Sequence, residues 1–323
     1  MAKILVAGKI PEIGLELLKD HDVEMYDKEE LISIDELTEL VKDKDALLSL
    51  LSTKVPKEVI DAAPHLKIVA NYGAGYDNID YTYAGEKGIV VTNTPKVSTE
   101  ATAELTFALL LAAARRIPEG DTLCRTTGFN GWAPLFFLGR EVHGKTIGII
   151  GLGEIGKAVA KRAKAFGMDV LYTGPNRKFE AESELGATYV TLEKLLQTAD
   201  FITINCAYNP KLHHMIDEEQ FKMMKKTAYI VNASRGPIMN EAALAYALKT
   251  NEIEGAALDV FEFEPKITEE LKELKNVVLA PHVGNATFET RDAMAEMAVR
   301  NILAVLNGEE PVTPVNQKVL VTK

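Results

Sequence analysis

Gly144-Lys145-Thr146-Ile147-Gly148-Ile149-Ile150-Gly151-Leu152-Gly153-Glu154-Ile155-Gly156 is the stretch whose reading decides the fold of this chain. A short apolar strand runs directly into Gly-x-Gly-x-x-Gly, and Lys157 to Phe166 then follow with a helical pattern. Gly151 permits the tight turn, Gly153 lets backbone approach an anion, and Gly156 lets the helix pack against the strand. The helix N-terminus adds N–H groups and a partial positive charge, with Glu154 and Ile155 in its first turn. Strand, turn and helix in this order suit the pyrophosphate of a dinucleotide.

On both sides of this turn, short β-branched runs alternate with helical patterns, which argues for parallel sheets covered by helices on both faces. Before it, strands are expected at 3–7, 23–26, 46–50, 67–70 and 89–92, with helices near 13–19, 34–42 and 57–62. After it, six strands are expected at 146–150, 169–172, 201–205, 228–232, 256–259 and 277–280. Two longer helical segments, Thr99–Arg115 and Phe288–Leu306, sit at the joins and read as crossings between domains. The expected division is 1–98 plus 288–323 for one domain and 99–287 for the other. A chain of 323 residues, 47% apolar and 26% charged, has the length for two soluble domains.

The remaining bulk properties narrow the class. A net charge of −11 argues against nucleic-acid binding. No apolar run is long enough for a bilayer, and Met1 to Gly8 read as a first strand and turn rather than a signal peptide. Two cysteines, Cys124 and Cys206, supply neither a disulfide framework nor a metal cluster, so a reducing cytoplasm is expected. His21, His65, His143, His213 and His214 show no metal-type spacing with carboxylates and read as structural or surface residues; no metal is expected.

Three polar residues fall where strands of the second set should end: Arg235, Glu264 and His282. Ligands of open α/β sheets bind outside the carboxyl ends of the strands. Arg235 offers a planar donor fork for a carboxylate or carbonyl. His282 can exchange a proton with an oxygen near neutral pH, and a hydrogen-bonded Glu264 would favour the imidazolium.

With these residues in place, the chain resembles the D-2-hydroxyacid dehydrogenase family, within it the glyoxylate/hydroxypyruvate and 2-ketogluconate reductases, essentially end to end. Ser234-Arg235-Gly236, Glu264-Pro265 and Pro281-His282 match the family's catalytic arginine, glutamate and histidine, 29 and 18 residues apart. The resemblance implies two Rossmann-like domains: a dinucleotide-binding, doubly wound parallel sheet and a flavodoxin-like substrate domain. It implies NAD(P)H-dependent reduction of glyoxylate, hydroxypyruvate or a similar short 2-keto acid to the D-2-hydroxy acid, with His282 as proton donor in a cleft that closes on the cofactor. Alternatives are a D-lactate dehydrogenase acting on pyruvate or bulkier 2-keto acids, and, from another class, a non-catalytic nicotinamide-sensing module like the corepressors of this fold.

Further roles are also carried over. Ala74 and Gly75, in Asn71-Tyr72-Gly73-Ala74-Gly75, resemble the loop whose N–H groups hold the substrate carboxylate, and the two flanking glycines suit such an anion nest. Thr99 and Asp259 resemble contacts of the nicotinamide, and Asp259 reads equally well as a strand-end cap. Ala233 and Gly284 lie beside the cofactor positions, and Cys206 reads as a small wall residue near the adenosine rather than a nucleophile. Trp132, in Trp132-Ala133-Pro134-Leu135, resembles a loop at the contact of a homodimer, with 115–137 as the expected interface. One departure concerns cofactor choice. Where NAD-selecting domains carry a carboxylate, roughly 20 residues past the glycine turn, this chain has Gly174, followed by Asn176 and Arg177. NAD or NADP is expected, with NADPH favoured by the missing carboxylate and by Arg177 as a phosphate partner.

Overall fold

The computed structural model describes residues 1–317. The chain divides into two compact units, Met1–Ser98 with Asn285–Lys323, and Thr99–Gly284. The segment 318–323, assigned from sequence to the first domain, lies outside the described residues. The second break falls between Gly284 and Asn285, three residues before the expected join, because Asn285 to Thr287 go with the helix that they precede and Thr287 caps.

In the first unit, strands alternate with short helices. They are β1 (Lys3–Val6), α1 (Glu12–Leu17), β2 (Asp22–Met25), α2 (Ile34–Leu40) and β3 (Ala46–Leu50). Next come α3 (Lys57–Asp61), β4 (Ile68–Tyr72), α4 (Tyr81–Glu86) and β5 (Val90–Thr92). All pairings are parallel, in the order β2-β1-β3-β4-β5, the flavodoxin-like arrangement. Successive strand residues face opposite sides: Ile4 and Val6 join one core cluster, Leu5 and Ala7 the other. Burial on both faces explains why these strands read as continuous apolar runs. α2 starts at a capping box between Ser33 and Glu36.

The second unit opens with α5 (Thr99–Ala114) and α6 (Ile117–Arg125). Then follow β6 (Thr146–Ile150), α7 (Glu154–Ala165), β7 (Asp169–Thr173), α8 (Phe179–Leu185), β8 (Thr188–Tyr189) and α9 (Leu192–Thr198). The unit continues with β9 (Phe201–Ile204), α10 (Glu218–Met223), β10 (Tyr229–Asn232) and α11 (Glu241–Lys249). It closes with β11 (Gly255–Leu258), α12 (Glu269–Lys272) and β12 (Val277–Leu279). Seven parallel strands run β12-β11-β10-β9-β6-β7-β8, and the order reverses between β6 and β9. This is a doubly wound dinucleotide-binding sheet with one added edge strand. β8, two residues long and exposed, was not expected from sequence: so short a run carries no periodicity.

α5 is apolar around much of its circumference, with Phe107, Leu109 and Leu110 buried. It packs against α7, β10 and β11, where each large side chain removed from water contributes roughly 1.5–3 kcal/mol. The Arg162 guanidinium ties α7 to Glu100 and Glu104 on α5 at 2.9 and 3.1 Å. The last helix, α13 (Phe288–Leu306), belongs to the first unit and covers β4 and β3 with Met294, Ala298 and Ile302. No helix among the described residues is long and apolar enough to cross a membrane.

Candidate active site

The glycine turn sits at the carboxyl end of β6, beside the reversal point of the second sheet. Gly151 has φ +96°, and a Cβ there would lie 2.7 Å from the backbone of Cys206, so only glycine fits between β6 and β9. At Gly156 a Cβ would stand 2.2 Å from the Gly151 carbonyl oxygen, which closes helix onto strand. Gly153 is the opposite case: nothing lies within 4 Å of a Cβ added there. Gly153 also gives α7 no side-chain cap, whereas Asn240 and Thr287 cap α11 and α13. The first N–H groups of α7 therefore border open space, the condition an anion needs. Just past β9, both side-chain polar atoms of Asn205 are buried with no partner among the described residues. Sequence reading passed over Asn205 in favour of its neighbour Cys206; the orphaned amide is visible only in the fold. An open glycine turn, an uncapped helix and an unsatisfied amide at one switch point fit a dinucleotide.

Arg235 leaves the end of β10 on a turn shaped by buried Asn232, whose amide donates to the Arg235 carbonyl at 3.0 Å and accepts the Ser234 N–H at 3.1 Å. Ser234 Oγ donates to the Cys206 carbonyl, which binds this turn to the segment flanking the glycine turn. Gly236 comes next because its backbone lies on the Phe261–Glu262 peptide: a Cβ would fall 1.9 Å from the Phe261 carbonyl carbon. The close approach places the arginine turn against the loop that carries Glu264.

Glu264 accepts the Phe261 N–H on Oε1 at 2.9 Å and faces His282 Nδ1 with Oε2 at 2.9 Å. Burial pushes its carboxyl up, but the bonds from His282 and Phe261 and the charges of His282 and Arg235 outweigh this and leave it below the usual value. An ionised carboxylate only accepts, so Nδ1 carries the proton and Nε2, across the ring, is left to face a ligand. The two side chains are 34% and 37% exposed, and such a pair stabilises a fold by at most about 1 kcal/mol. Its effect is on orientation and tautomer. The Arg235 Nη1 donates to the Ser234 carbonyl at 2.9 Å, and its charge acts on Glu264. Glu264 and His282 are thus in contact, with Arg235 in electrostatic reach.

Asp259, expected as a nicotinamide contact or a strand-end cap, is 1% exposed and accepts the N–H groups of Val283 and Gly284, both at 2.8 Å. It anchors the loop of His282. Thr99 begins α5, Ala233 is buried after β10, and Gly284 lies against Asp259 and Thr102. Glu154 pairs with Lys157 at 3.3 Å on the first turn of α7, and Ile155 packs into the core. Burial lifts the Cys206 thiol to about 11, which favours the neutral thiol over the nucleophilic thiolate. Gly174 follows β7 with nothing near a Cβ, and Asn176 beyond it is exposed. The Arg177 guanidinium is engaged with Glu182 (Nε–Oε1 and Nη2–Oε2, both 2.8 Å), and Glu182 also accepts from Tyr172 at 2.6 Å.

A groove of about 700 Å³, lined by Arg116, Glu119, Tyr229 and Val277, lies at the amino ends of β10 and β12, away from this chemistry.

In the first unit, Ala74 and Gly75 follow β4. The carbonyls of Gly73, Ala74 and Gly75 accept from Thr94 N–H, Asn93 Nδ2 and Asn71 Nδ2 at 2.9, 2.7 and 2.7 Å. In a trans peptide the N–H points opposite to the carbonyl, so the N–H groups of Ala74, Gly75 and Tyr76 turn away from those bonds. The carbonyls of this loop are therefore engaged, and neither Gly73 nor Gly75 takes a positive φ.

Comparison with known proteins agrees with this geometry. The profile described as D-isomer specific 2-hydroxyacid dehydrogenase, NAD binding domain, matches residues 107–284. A Staphylococcus aureus (strain MRSA252) protein, assigned by name to the 2-hydroxyacid dehydrogenases, is 67% identical over 317 residues, covering 98% of this chain and 100% of the relative. The crystal structure of a glyoxylate reductase from Paecilomyes thermophila superposes with TM-score 0.87 at 31% identity, covering 98% of this chain and 99% of that one. An NADPH-dependent glyoxylate/hydroxypyruvate reductase from Sinorhizobium meliloti, in complex with NADP and malonate, gives 0.83 at 34% identity, covering 97% and 96%. The chain belongs to the D-isomer specific 2-hydroxyacid dehydrogenase family. It is an oxidoreductase whose second unit takes a nicotinamide dinucleotide, NAD or NADP.

Proposed function

We propose that the enzyme reduces short 2-keto acids, glyoxylate and hydroxypyruvate first among them, to D-2-hydroxy acids. The 2.9 Å contact between Glu264 Oε2 and His282 Nδ1 carries this reading, because it leaves Nε2 as the proton donor. A reduced nicotinamide, when bound, supplies the hydride. His282 gives its proton to the carbonyl oxygen as charge develops there, and Glu264 stabilises the imidazolium that precedes the transfer. Arg235 holds or polarises the keto acid through its donor fork. The Ala74-Gly75 loop of the first unit, whose carbonyls are already occupied, is proposed to receive the substrate carboxylate on its N–H groups. Relatives named as glyoxylate reductases support the short substrate.

NADPH acceptance rests on Gly174, where no carboxylate repels a 2′-phosphate; Arg177 shares its charge with Glu182 through Nε and Nη2, which weakens its pull on a phosphate. The partner proposed is a second copy of the chain. Ile117, Phe129, Trp132, Leu135 and Leu138 are each at least 59% exposed, large apolar side chains between 117 and 138 that a second copy would cover. Two unpaired thiols support a reducing, cytoplasmic setting.

The test is oxidation of NADH and NADPH against a panel of 2-keto acids. Turnover highest with glyoxylate or hydroxypyruvate supports the proposal. Higher efficiency with pyruvate would replace it with a D-lactate dehydrogenase, since one methyl group shifts discrimination by only about 1–3 kcal/mol. Cofactor binding without turnover on any of the acids would point to the sensor module.

A further inference from the structure

A second histidine–carboxylate pair stands behind the loop that carries Glu264. His214 Nε2 and Glu262 Oε1 are 2.6 Å apart, and the His213 ring stacks on that of His214 with centroids 4.0 Å apart. One donor atom from each of the three side chains lies within 4.8 Å of the others, the one such trio of His, Cys, Asp and Glu among the described residues. Sequence spacing set both histidines aside because the carboxylate comes from 48 residues further on.

The fold holds this trio firmly. The His214 N–H donates to the Pro237 carbonyl at 2.9 Å, and the Ile216 N–H to that of Ile238 at 3.1 Å, which pins the histidine segment beside 237–239. Glu262 is placed by Glu241: each backbone N–H donates to the other's carboxylate, and Glu241, 1% exposed, also accepts the Thr268 hydroxyl. The Glu262 side chain is itself only 9% exposed. Glu262 thus keeps Oε2 on the Glu241 N–H and turns Oε1 to His214. A cation between His214 Nε2 and Glu262 Oε1 would meet two donor atoms that the fold already holds close together.

We propose that His213, His214 and Glu262 bind one divalent first-row transition cation, and that the ion stiffens the turn carrying Glu264. Two imidazoles and one carboxylate select zinc, cobalt, nickel or copper over calcium or magnesium, which need more oxygens. Bonds of about 2.0–2.2 Å put the donors of a tetrahedral site about 3.4 Å apart. The 2.6 Å contact therefore opens and the longest separation closes, both by rotation of the exposed His213 ring and small shifts of the pair. A fourth position remains for water. Glu262 lies two residues before Glu264, so the ion acts on the segment 259–268 without touching the reacting groups. The binding half of the proposal stands whether or not Glu264 serves catalysis.

Equilibrium dialysis of the full chain against zinc, with cobalt absorption as a second signal, tests the site. One equivalent should bind and raise the thermal midpoint. Affinity should fall at least about tenfold in H213A, H214A and E262Q, since even changes to outer-sphere partners cost that much. It should be unaltered in H282A, which removes the other His–carboxylate pair, and in Cys124→Ser, which removes the exposed thiol. H213A alters only an exposed ring, so its result does not depend on folding. No bound equivalent, or binding unchanged in H213A and E262Q, would overturn the proposal, as would binding lost in H282A or Cys124→Ser alone.

Discussion

Asp259 fixes the backbone on which His282 stands: its carboxylate takes the next two N–H groups at 2.8 Å, while His282 itself holds a left-handed φ of 55°. A non-glycine residue in a sparsely populated backbone region costs about 1–3 kcal/mol and persists only where its surroundings impose it. Here a strand-end carboxylate imposes it from below, and Glu264 orients the ring from the side. Burial pushes the Asp259 carboxyl up, and the two N–H donors with the His282 charge act against that rise.

Replacing Asp259 with Asn leaves one acceptor for two buried donors. An unsatisfied buried N–H costs about 1–3 kcal/mol, so D259N should lower the thermal midpoint. It should also lower kcat more than it raises KM, because His282 is displaced rather than the substrate. Steady-state kinetics beside thermal unfolding check both; wild-type kcat in D259N would remove the anchoring role.

Two glycine substitutions should separate fold from ligand. Gly236→Ala drives a Cβ into the Phe261 carbonyl, and such overpacking costs about 1–3 kcal/mol or more. Gly153→Ala meets nothing within 4 Å and should leave unfolding unchanged while weakening dinucleotide binding. Thermal unfolding with and without NADPH reads both. Equal behaviour of the two variants would contradict this assignment.

Glu182→Gln should release the Arg177 guanidinium from its carboxylate. A charged hydrogen bond regained by a 2′-phosphate is worth about 1.5–3 kcal/mol, or about ten- to a hundredfold in NADPH efficiency. NADH efficiency should hardly move. If R177A loses nothing with NADPH and E182Q gains nothing, the arginine plays no part in cofactor choice.

Glu264→Gln keeps an acceptor for Nδ1 but loses the charge that favours the imidazolium. Turnover should fall about ten- to a hundredfold, less than loss of the ring itself, with KM little altered. Kinetics on the best keto acid decide it; unchanged kcat would confine Glu264 to a structural contact.

Both parallel sheets were legible in the sequence because strands buried on two faces leave β-branched runs, and the glycine turn marked the switch point unaided. The boundaries of α13 match expectation because Thr287 caps it, while β8 and α4 are too short to carry a period. Arg235, Glu264 and His282 could be singled out by residue type and position after strands. What no pattern revealed was contact across distant segments: Gly236 on Phe261, Asp259 on the His282 loop, and Glu262 beside His213 and His214. These depend on how loops meet after the sheet has formed, and side-chain identity alone does not encode it.

The most direct measurement is kcat of His282→Ala with glyoxylate and hydroxypyruvate, alongside its affinity for NADPH. Turnover should fall by about two orders of magnitude or more, as expected for a lost general acid, while cofactor affinity stays near wild type. Turnover within about threefold of wild type would show that the proton comes from elsewhere and would contradict the catalytic assignment made on the Glu264–His282 pair.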